Sequence, residues 1–301
     1  MRPAQAVVLL AVVSLVVSLV VSLASGIALT ASAVAVIASA SVTTVASQGH
    51  WSTAVIRAEV PLPGWLGALA AMAVVVLLAR GALRTFSIVL ALIRADRLCR
   101  DIRTDGGPIV VVNDDSADAY TVAGIRGCVV ISQRLLTELS ADERRVLTAH
   151  ELSHLNRRRH LYVHLADIAA AGNPLLRQVS AQVRLGVERW ADEDAARVIG
   201  DRRITGRARA RVALLRSALA KATGLARSSS THVGGVPVLG VGALHVTSRV
   251  QALLEPAPQP RTARVAAVLL LSLLVLTIGV ASLAHIHEAI EGAAPLMHRE
   301  R

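Results

Sequence analysis

The chain has 301 residues, of which 53% are hydrophobic and 2% aromatic, and its apolar residues are gathered in a few long runs. This pattern argues against an ordinary soluble domain and indicates a membrane protein. The net charge of +11 comes from 32 basic residues, all arginine except Lys221. With so much Ala and Val, this arginine excess is typical of a GC-rich coding bias, so we expect no nucleic-acid partner.

The first apolar run predicts two membrane-spanning helices. Residues 3–56 contain no Asp, Glu, Lys or Arg. As one helix the most apolar part would be roughly 60 Å long, twice the thickness of a ~30 Å hydrocarbon core. We therefore predict a transmembrane hairpin at 1–46 that turns at 22–26. A cleaved secretory signal is the alternative for the same stretch.

Two more spans frame a long central segment. A polar break with two prolines predicts a short loop at 47–63, followed by a third transmembrane helix at 64–93. A fourth apolar run predicts a span at 263–285, before a short tail at 286–301. Arginines that cluster after a span mark its cytoplasmic side, so we expect the segment 94–262 in the cytosol. The clustered arginines are Arg80, Arg84, Arg94, Arg97, Arg100 and Arg103.

The two cysteines form no metal-binding pattern. Cys99 and Cys128 are 29 positions apart and make no C-x-x-C pair. Because both fall in the part assigned to the cytosol, we expect reduced thiols and no disulfide.

The central segment begins with short strands and continues as helices. Residues 108–132 hold a β-branched run after Pro108 and two further strands, AYTVAG and CVVIS, joined by a glycine-bearing turn. Ser140 and Glu143 have the spacing of a capping box, which predicts a helix from there to about residue 171. Two more helices are predicted at about 175–199 and 203–222.

The first of these helices carries His150, Glu151 and His154 in an H-E-x-x-H pattern. Residues four apart lie on one helix face, so both imidazoles can point to one metal ion. Neutral imidazole is a preferred ligand of zinc, and the Glu beside the first His is placed to take a proton from the attacking water. The alternative is an ordinary amphipathic helix with two histidines.

A hydrolytic zinc site needs a third protein ligand. The next helix offers Glu188, 34 residues after His154, with Asp192 one turn further on the same face. Two separate parts of the sequence therefore agree on a metal site.

The combination H-E-x-x-H…E-x-x-A-D resembles the signature of gluzincin membrane peptidases of the HtpX and BlaR/MecR types. The longer stretches AYTVAGIRGCVVISQRLLTELSADERRVLTAHE and HELSHLNRRRH favour the BlaR/MecR side, and the resemblance covers about residues 85–255. It implies that Glu188 is the third ligand and that Asp192 holds the ring N–H of a ligand histidine, most simply His150. It also implies that residues 119–124 form a sheet edge that binds extended substrate, although an ordinary hairpin explains them equally well.

The expected fold is a mostly α membrane protein with about four transmembrane helices and a helical, gluzincin-like zinc domain that contains a small β-hairpin or sheet. We expect one Zn2+ per chain, bound by His150, His154 and Glu188, with Glu151 as the catalytic base of an endopeptidase. The expected partners are a protein or peptide substrate, the lipid bilayer and a repressor-type regulatory protein. The other hypothesis is a non-catalytic signalling or scaffold membrane protein that keeps the peptidase fold.

Two further sets of residues complete these expectations. His160 and His164 are also four apart, but with no Glu after the first His we expect surface or membrane-interface side chains and no second site. Four residues are candidates to stabilise the oxyanion of peptide hydrolysis, and the sequence does not choose among them: Arg157, Tyr162, His232 and His245. BlaR/MecR receptors carry a large sensor domain after their last span, and a tail of this length leaves no room for it, so we expect no β-lactam sensing.

Overall fold

The structure is a computed structural model that describes residues 64–103, 107–113, 118–124, 127–222, 232–233, 236–237 and 246–257, with positions 270, 274 and 277. The predicted hairpin at 1–46, the loop at 47–63 and the tail at 286–301 lie outside the described residues. The same holds for the predicted fourth span at 263–285, apart from those three positions.

The described residues belong to two compact units. The larger unit consists of the described residues of 85–167 and 178–262, and it contains the sheet and all the predicted metal ligands. The smaller unit consists of those of 12–84, 168–177 and 263–301. Within the smaller unit, Arg80 Nε donates to the Ala171 carbonyl oxygen at 3.4 Å.

Helix α1, Gly64–Ile102, starts where the third span is predicted and continues past residue 93. Its section Val75–Ile102 is long and apolar enough to cross a membrane, by length and composition alone, and within the described ranges it is the one helix that meets this criterion. Large apolar side chains on it face outward, for example Leu83 at 68% and Phe86 at 62% exposure.

A three-stranded sheet follows, with the spatial order β1, β3, β2. Strand β3, Cys128–Ser132, lies in the centre and is buried along its whole length, as its apolar and β-branched residues predict. Strand β1, Ile109–Val112, pairs with it in parallel, and β2, Ala119–Val122, pairs with it antiparallel, so β2 forms an edge of the sheet.

The predicted hairpin of β2 and β3 is confirmed, and Gly127 shows why its turn requires glycine. A Cβ at this position would lie 2.3 Å from the Val122 carbonyl oxygen and 3.0 Å from a Leu155 methyl carbon. Backbone at such a distance cannot give way without moving the strand, so any side chain here would disrupt the hairpin.

A disulfide joins Cys99, near the end of α1, to Cys128, the first residue of β3. The prediction of two reduced thiols is therefore wrong. The two residues are 29 positions apart in sequence, but the helix end packs on the sheet and brings their Cα atoms to 5.7 Å. Both side chains are buried, at 1% and 0% exposure, within a small apolar cluster.

A short helix α2, Gln133–Glu138, leads to α3, Ala141–Asn156, which carries the H-E-x-x-H pattern. The predicted capping box is present at the start of α3. Glu143 N donates to Ser140 Oγ at 3.4 Å, and Ser140 N donates to Glu143 Oε2 at 2.8 Å. The cap sets where the helix begins, and hence which residues share a face further along it.

The single helix predicted from Ser140 to residue 171 is wrong, because the chain breaks between Asn156 and α4, His160–Gly172. Arg158 adopts a φ of 47°, which a helix cannot contain. The break turns Arg159 inward, where it is fully buried, contacts Asp194, and has its guanidinium 4.4 Å from the centre of the Trp190 ring. A buried ion pair and a cation–π contact thus replace one turn of helix.

His160 and His164 are buried, at 4% and 9% exposure, so the prediction of surface or interface positions is also wrong. They lie on α4, whose apolar residues pack in a cluster with Val183, Val187 and Trp190. Burial, and next the neighbouring His164 and Arg158, lower the pKa of His160 to about 4.

Three helices complete the larger unit. After a 3-10 turn at Pro174–Leu176 come α5, Arg177–Ile199, and α6, Arg202–Ala222, close to the predicted bounds. The strands β4, His232–Val233, and β5, Val236–Pro237, form a two-stranded ladder, and α7 is Val246–Leu254. Helix α6 packs against both α3 and α7, and α3 also packs against β2 and β3.

Candidate metal centre

Helix α3 presents His150 and His154 side by side in the interior. Both are 1% exposed, and their Nε2 atoms lie 3.2 Å apart, as expected for residues one turn apart. Burial, the largest effect, lowers the pKa of His154 to about 3, against the raising effect of Glu188. The imidazole is therefore neutral at physiological pH, the form in which it binds a metal ion.

Glu188 on α5 faces the two histidines. Its Oε1 lies 3.5 Å from His154 Nε2, and its Oε2 lies 3.6 Å from His150 Nε2. One ligand atom from each of the three residues lies within 4.8 Å of the others. The structure thus brings together the three residues that we predict as ligands.

Asp192, one turn after Glu188 on α5, lies on the opposite side of His150 from the convergent ring nitrogens. Its Oδ1 is 3.0 Å from His150 Nδ1. A carboxylate at this nitrogen favours the tautomer with the proton on Nδ1, which leaves Nε2 free to coordinate. This is the placement that the predicted role of Asp192 requires.

Glu151 is 5% exposed and lies beside the ligand His150. The hydroxyl of Thr121, on the edge strand β2, is 3.1 Å from Glu151 Oε2 and 3.0 Å from the Glu151 carbonyl oxygen. A hydroxyl group of the edge strand therefore lies within hydrogen-bond distance of the predicted base on α3.

Two arginines that we did not predict surround the carboxylates. Arg249 on α7 reaches Asp192 through Nε and Nη2, at 2.8 Å each, and Glu188 Oε2 through Nη1 at 2.7 Å. Arg209 on α6 places Nε 3.2 Å from Asp192 Oδ1. Burial by itself raises the pKa of Glu188 and of Asp192, but Arg249 and other neighbours together outweigh it and hold both pKa values well below the usual range. Arg249 has the largest lowering effect on both, the two ligand histidines add to it at Glu188, and His150 and Arg209 add to it at Asp192.

A weak local signal for Arg249 exists in the sequence. It lies four residues before Leu253, and both are buried, at 4% and 2% exposure. An arginine on the apolar face of an amphipathic helix indicates a buried acidic partner, because an unpaired buried charge is very costly. The sequence alone does not reveal which carboxylate that is, 57 residues away.

The donor set suits a divalent cation. Among the described side chains, the three carboxylates Glu151, Glu188 and Asp192 interact with Arg209 and Arg249, so these acidic groups outnumber the two arginines beside the imidazoles of His150 and His154. Two histidines and one glutamate are also a ligand set of catalytic zinc sites. We conclude that the residues present fit a zinc ion.

The helices that carry the ligands are joined by a second buried network. Asp194 on α5 accepts from Ser153 on α3 at 2.8 Å, and it also binds Arg159 and Arg197. Ser153 lies between the two ligand histidines in the sequence, so this contact holds the ligand face of α3 against α5, which provides Glu188.

A cavity of about 960 Å3 opens on another face of α3 and along the end of α5. Arginines dominate its charged lining, which includes Arg144, Arg145, Arg157 and Arg197, with Asp194. None of the predicted metal ligands lines it, so we do not assign it to the metal centre.

Two of the oxyanion candidates, Arg157 and Tyr162, lie in the described part of the structure, and both approach the Trp190 ring. Arg157 is 3.4 Å from Asp194, and Tyr162 packs against the Trp190 ring. His245 and the side chain of His232 lie outside the described part of the structure.

Comparison with known proteins supports the candidate metal centre. Residues 94–231, somewhat less than half of the chain, match the sequence model of peptidase family M48. The matched segment contains the two histidines, Glu151, Glu188 and Asp192, and it ends before Arg249. No curated protein and no solved structure matches the chain significantly. Residues 94–231 are therefore similar to peptidase family M48, which supports a metallopeptidase in general.

Proposed function

We propose that the chain is a membrane-embedded, zinc-dependent endopeptidase of the gluzincin type, most similar to the BlaR/MecR group. One observation carries this proposal. The metal-binding atoms of His150, His154 and Glu188 converge within 4.8 Å of one another, and the buried Glu151 directly follows His150 in the sequence.

Each residue has a defined task in this proposal. His150, His154 and Glu188 hold the ion, and Asp192 fixes the tautomer of His150. A zinc ion bound there would polarise the scissile carbonyl and make water a better nucleophile at neutral pH. Glu151 accepts the proton of the attacking water and later delivers it to the leaving amine.

We propose that the substrate peptide adds to the edge strand β2. Ser132 N donates to Asp118 O, so alternate residues of β2 turn their backbone groups toward β3. Ala119 and Thr121 then turn theirs toward the outer edge, but both residues are buried, at 3% and 0% exposure, so an extended peptide could pair there only after the side chains that cover the edge move. The Ala119 carbonyl accepts from Arg216, and this is one of the contacts that a paired peptide would have to replace.

The membrane topology is part of the proposal. Helix α1 is apolar and outward-facing, and the arginines that follow it favour a cytoplasmic location for residues 94–262. The substrate would then be a membrane-bound or cytosolic regulatory protein of the repressor type. The Cys99–Cys128 bond opposes this location, because disulfides are rare in the cytosol. Protease added to spheroplasts decides the point, since residues 94–262 stay intact only if they are cytoplasmic.

The test of the function compares detergent-purified wild type with Glu151→Gln. We expect one zinc per chain in both proteins, and cleavage of fluorescein-labelled casein by the wild type alone. Glu143→Gln, a change at the exposed helix cap, is the matched control and should keep most of the activity. Equal cleavage by wild type and Glu151→Gln would show that Glu151 is not the base.

A second function has one observation in its favour. Arg249 Nη1 lies 2.7 Å from Glu188 Oε2, so an internal ion pair can neutralise the third ligand without a metal. A signalling or scaffold protein with a metal-free peptidase fold would use this pair structurally. Absence of zinc from the purified wild type, even after zinc is supplied, would favour this function.

A further inference from the structure

The proposed base has a close partner on the sheet. Thr121 is fully buried on β2, and its Oγ1 lies 3.1 Å from Glu151 Oε2, although the two residues are 30 positions apart. The same hydroxyl is 3.0 Å from the Glu151 carbonyl oxygen. A threonine hydroxyl has one proton, so it can donate to only one of these two acceptors at a time.

The carboxylate is the stronger acceptor of the two. Hydrogen bonds to an ionised oxygen are stronger than those to a neutral carbonyl, and the distances of 3.1 Å to Oε2 and 3.0 Å to the carbonyl oxygen permit either bond. A bond to Oε2 fixes the plane of the carboxylate and leaves Oε1 to receive a proton. Without it, a glutamate side chain with three rotatable bonds would sample several positions.

We propose that Thr121 is a positioning residue, which orients the Glu151 carboxylate for proton transfer through its hydroxyl. This inference rests on the proposed peptidase function. A general base must lie within hydrogen-bond distance of the proton that it removes, so orientation affects the catalytic step more than the binding of substrate. Thr121 also lies on the strand where the peptide is proposed to pair, so its backbone belongs to that strand while its side chain contacts the base.

The competing explanation is structural. If the hydroxyl donates only to the Glu151 carbonyl oxygen, it ties β2 to α3 and supports folding without orienting the base. The two explanations predict different behaviour of kcat, zinc content and stability.

The test uses two substitutions in the full-length, detergent-purified protein. Thr121→Val removes the hydroxyl and keeps a β-branched side chain of similar size, which suits a strand. Thr121→Ser keeps the hydroxyl. For Thr121→Val we expect kcat on labelled casein to fall roughly 10-fold to 100-fold, because general-base catalysis contributes on the order of 100-fold or more. KM, zinc content and Tm should stay near those of the wild type, and Thr121→Ser should stay within about threefold in kcat.

Thr205→Val is the matched control. Thr205 is also fully buried, and its hydroxyl donates to the Asp201 carbonyl oxygen at 2.8 Å. The substitution therefore removes the same buried hydroxyl from α6, where the acceptor is a backbone oxygen. We expect a small loss of Tm and an unchanged kcat.

A second measurement does not depend on activity. In crystals of the metal-free proteins, the Glu151 carboxylate should occupy one position in the wild type and in Thr121→Ser. In Thr121→Val it should be displaced or spread over several positions, while the helix backbone stays in place.

The inference is overturned if Thr121→Val keeps the wild-type kcat, or if its activity falls only in step with zinc content and Tm. An unchanged Glu151 position in Thr121→Val crystals would overturn it as well. If the wild type cleaves no substrate although it binds zinc, the proposed function fails, and the crystallographic comparison alone decides the role of Thr121.

Discussion

Arg249 binds Asp192 through two parallel hydrogen bonds, Nε to Oδ2 and Nη2 to Oδ1, both 2.8 Å long. The third nitrogen of its guanidinium group, Nη1, lies 2.7 Å from Glu188 Oε2. One side chain of α7 therefore contacts the proposed third ligand and also the carboxylate that faces His150. The paired geometry suits a guanidinium and cannot be reproduced by an ammonium group.

Replacing Arg249 should cost stability and weaken metal binding. Arg249→Met removes the arginine that contacts Glu188 and leaves Asp192 with Arg209 alone, and breaking a buried ion pair from one side typically costs about 3 to 5 kcal/mol. We expect a loss of this size in urea unfolding, with Arg249→Lys recovering only part of it. Zinc affinity, measured against a competing chelator, should also fall.

Arg202→Met is the control for Arg249. Arg202 contacts Glu193 and the carbonyl oxygens of Ala252 and Leu253, so it joins the same helices outside the metal centre. We expect a smaller loss of stability and unchanged zinc affinity. Equal effects of the two substitutions would mean that Arg249 only links helices.

Zinc content should depend on Glu188. In Glu188→Ala the ion would keep only two histidine ligands, and three protein ligands are the rule at hydrolytic zinc sites. Elemental analysis should find one zinc per wild-type chain and a marked loss in the variant. Glu193→Ala, five positions along the same helix, should retain the metal. Full zinc content in Glu188→Ala would remove Glu188 from the ligand set.

The disulfide should stabilise the larger unit. Cys99 and Cys128 close a loop over a separation of 29 residues, and in the chain-entropy estimate a crosslink of this span contributes about 3 to 4 kcal/mol. We expect Cys99→Ser to lower the free energy of unfolding by this amount under oxidising conditions. Addition of a reductant should lower the stability of the wild type and leave the variant unchanged. A wild type that does not respond to the reductant would show that the bond does not form.

His160 should make the metal-free protein sensitive to acid. Burial lowers its pKa in the folded state to about 4, with smaller contributions from His164 and Arg158, against about 6.5 in the unfolded chain. The unfolded chain therefore takes up the proton first. The stabilising effect is complete above about pH 6.5 and is lost as the pH falls toward about 4, at most about 3 kcal/mol in total.

The check is urea unfolding of metal-free wild type and His160→Gln between pH 7.5 and pH 4. A glutamine does not titrate, so the variant should lose less stability over this range. The difference between the two proteins isolates His160 from other acid-sensitive groups such as His154. Parallel pH curves would show that His160 does not titrate as its burial requires.

The parts of this protein that follow from neighbouring residues can be predicted from the sequence. Spacing along one helix places His150 and His154 on a common face, and the capping box at Ser140 sets the start of that helix. The two strand-like runs and the glycine-bearing turn between them likewise predict the β2–β3 hairpin. These features depend on contacts within a few residues, which local chemistry determines.

The tertiary structure alone decided the contacts between distant segments. Thr121 against Glu151, Arg249 against Asp192 and Cys99 against Cys128 join residues 29 to 57 positions apart. The helix break at Arg158 and the burial of His160 also depend on distant contacts, since Arg159, which lies between them, packs against Asp194 and Trp190 of another helix. The sequence therefore predicts which residues could hold a metal ion, whereas the surroundings of these residues depend on how the helices pack, because packing energy comes from contacts that no short stretch of sequence contains.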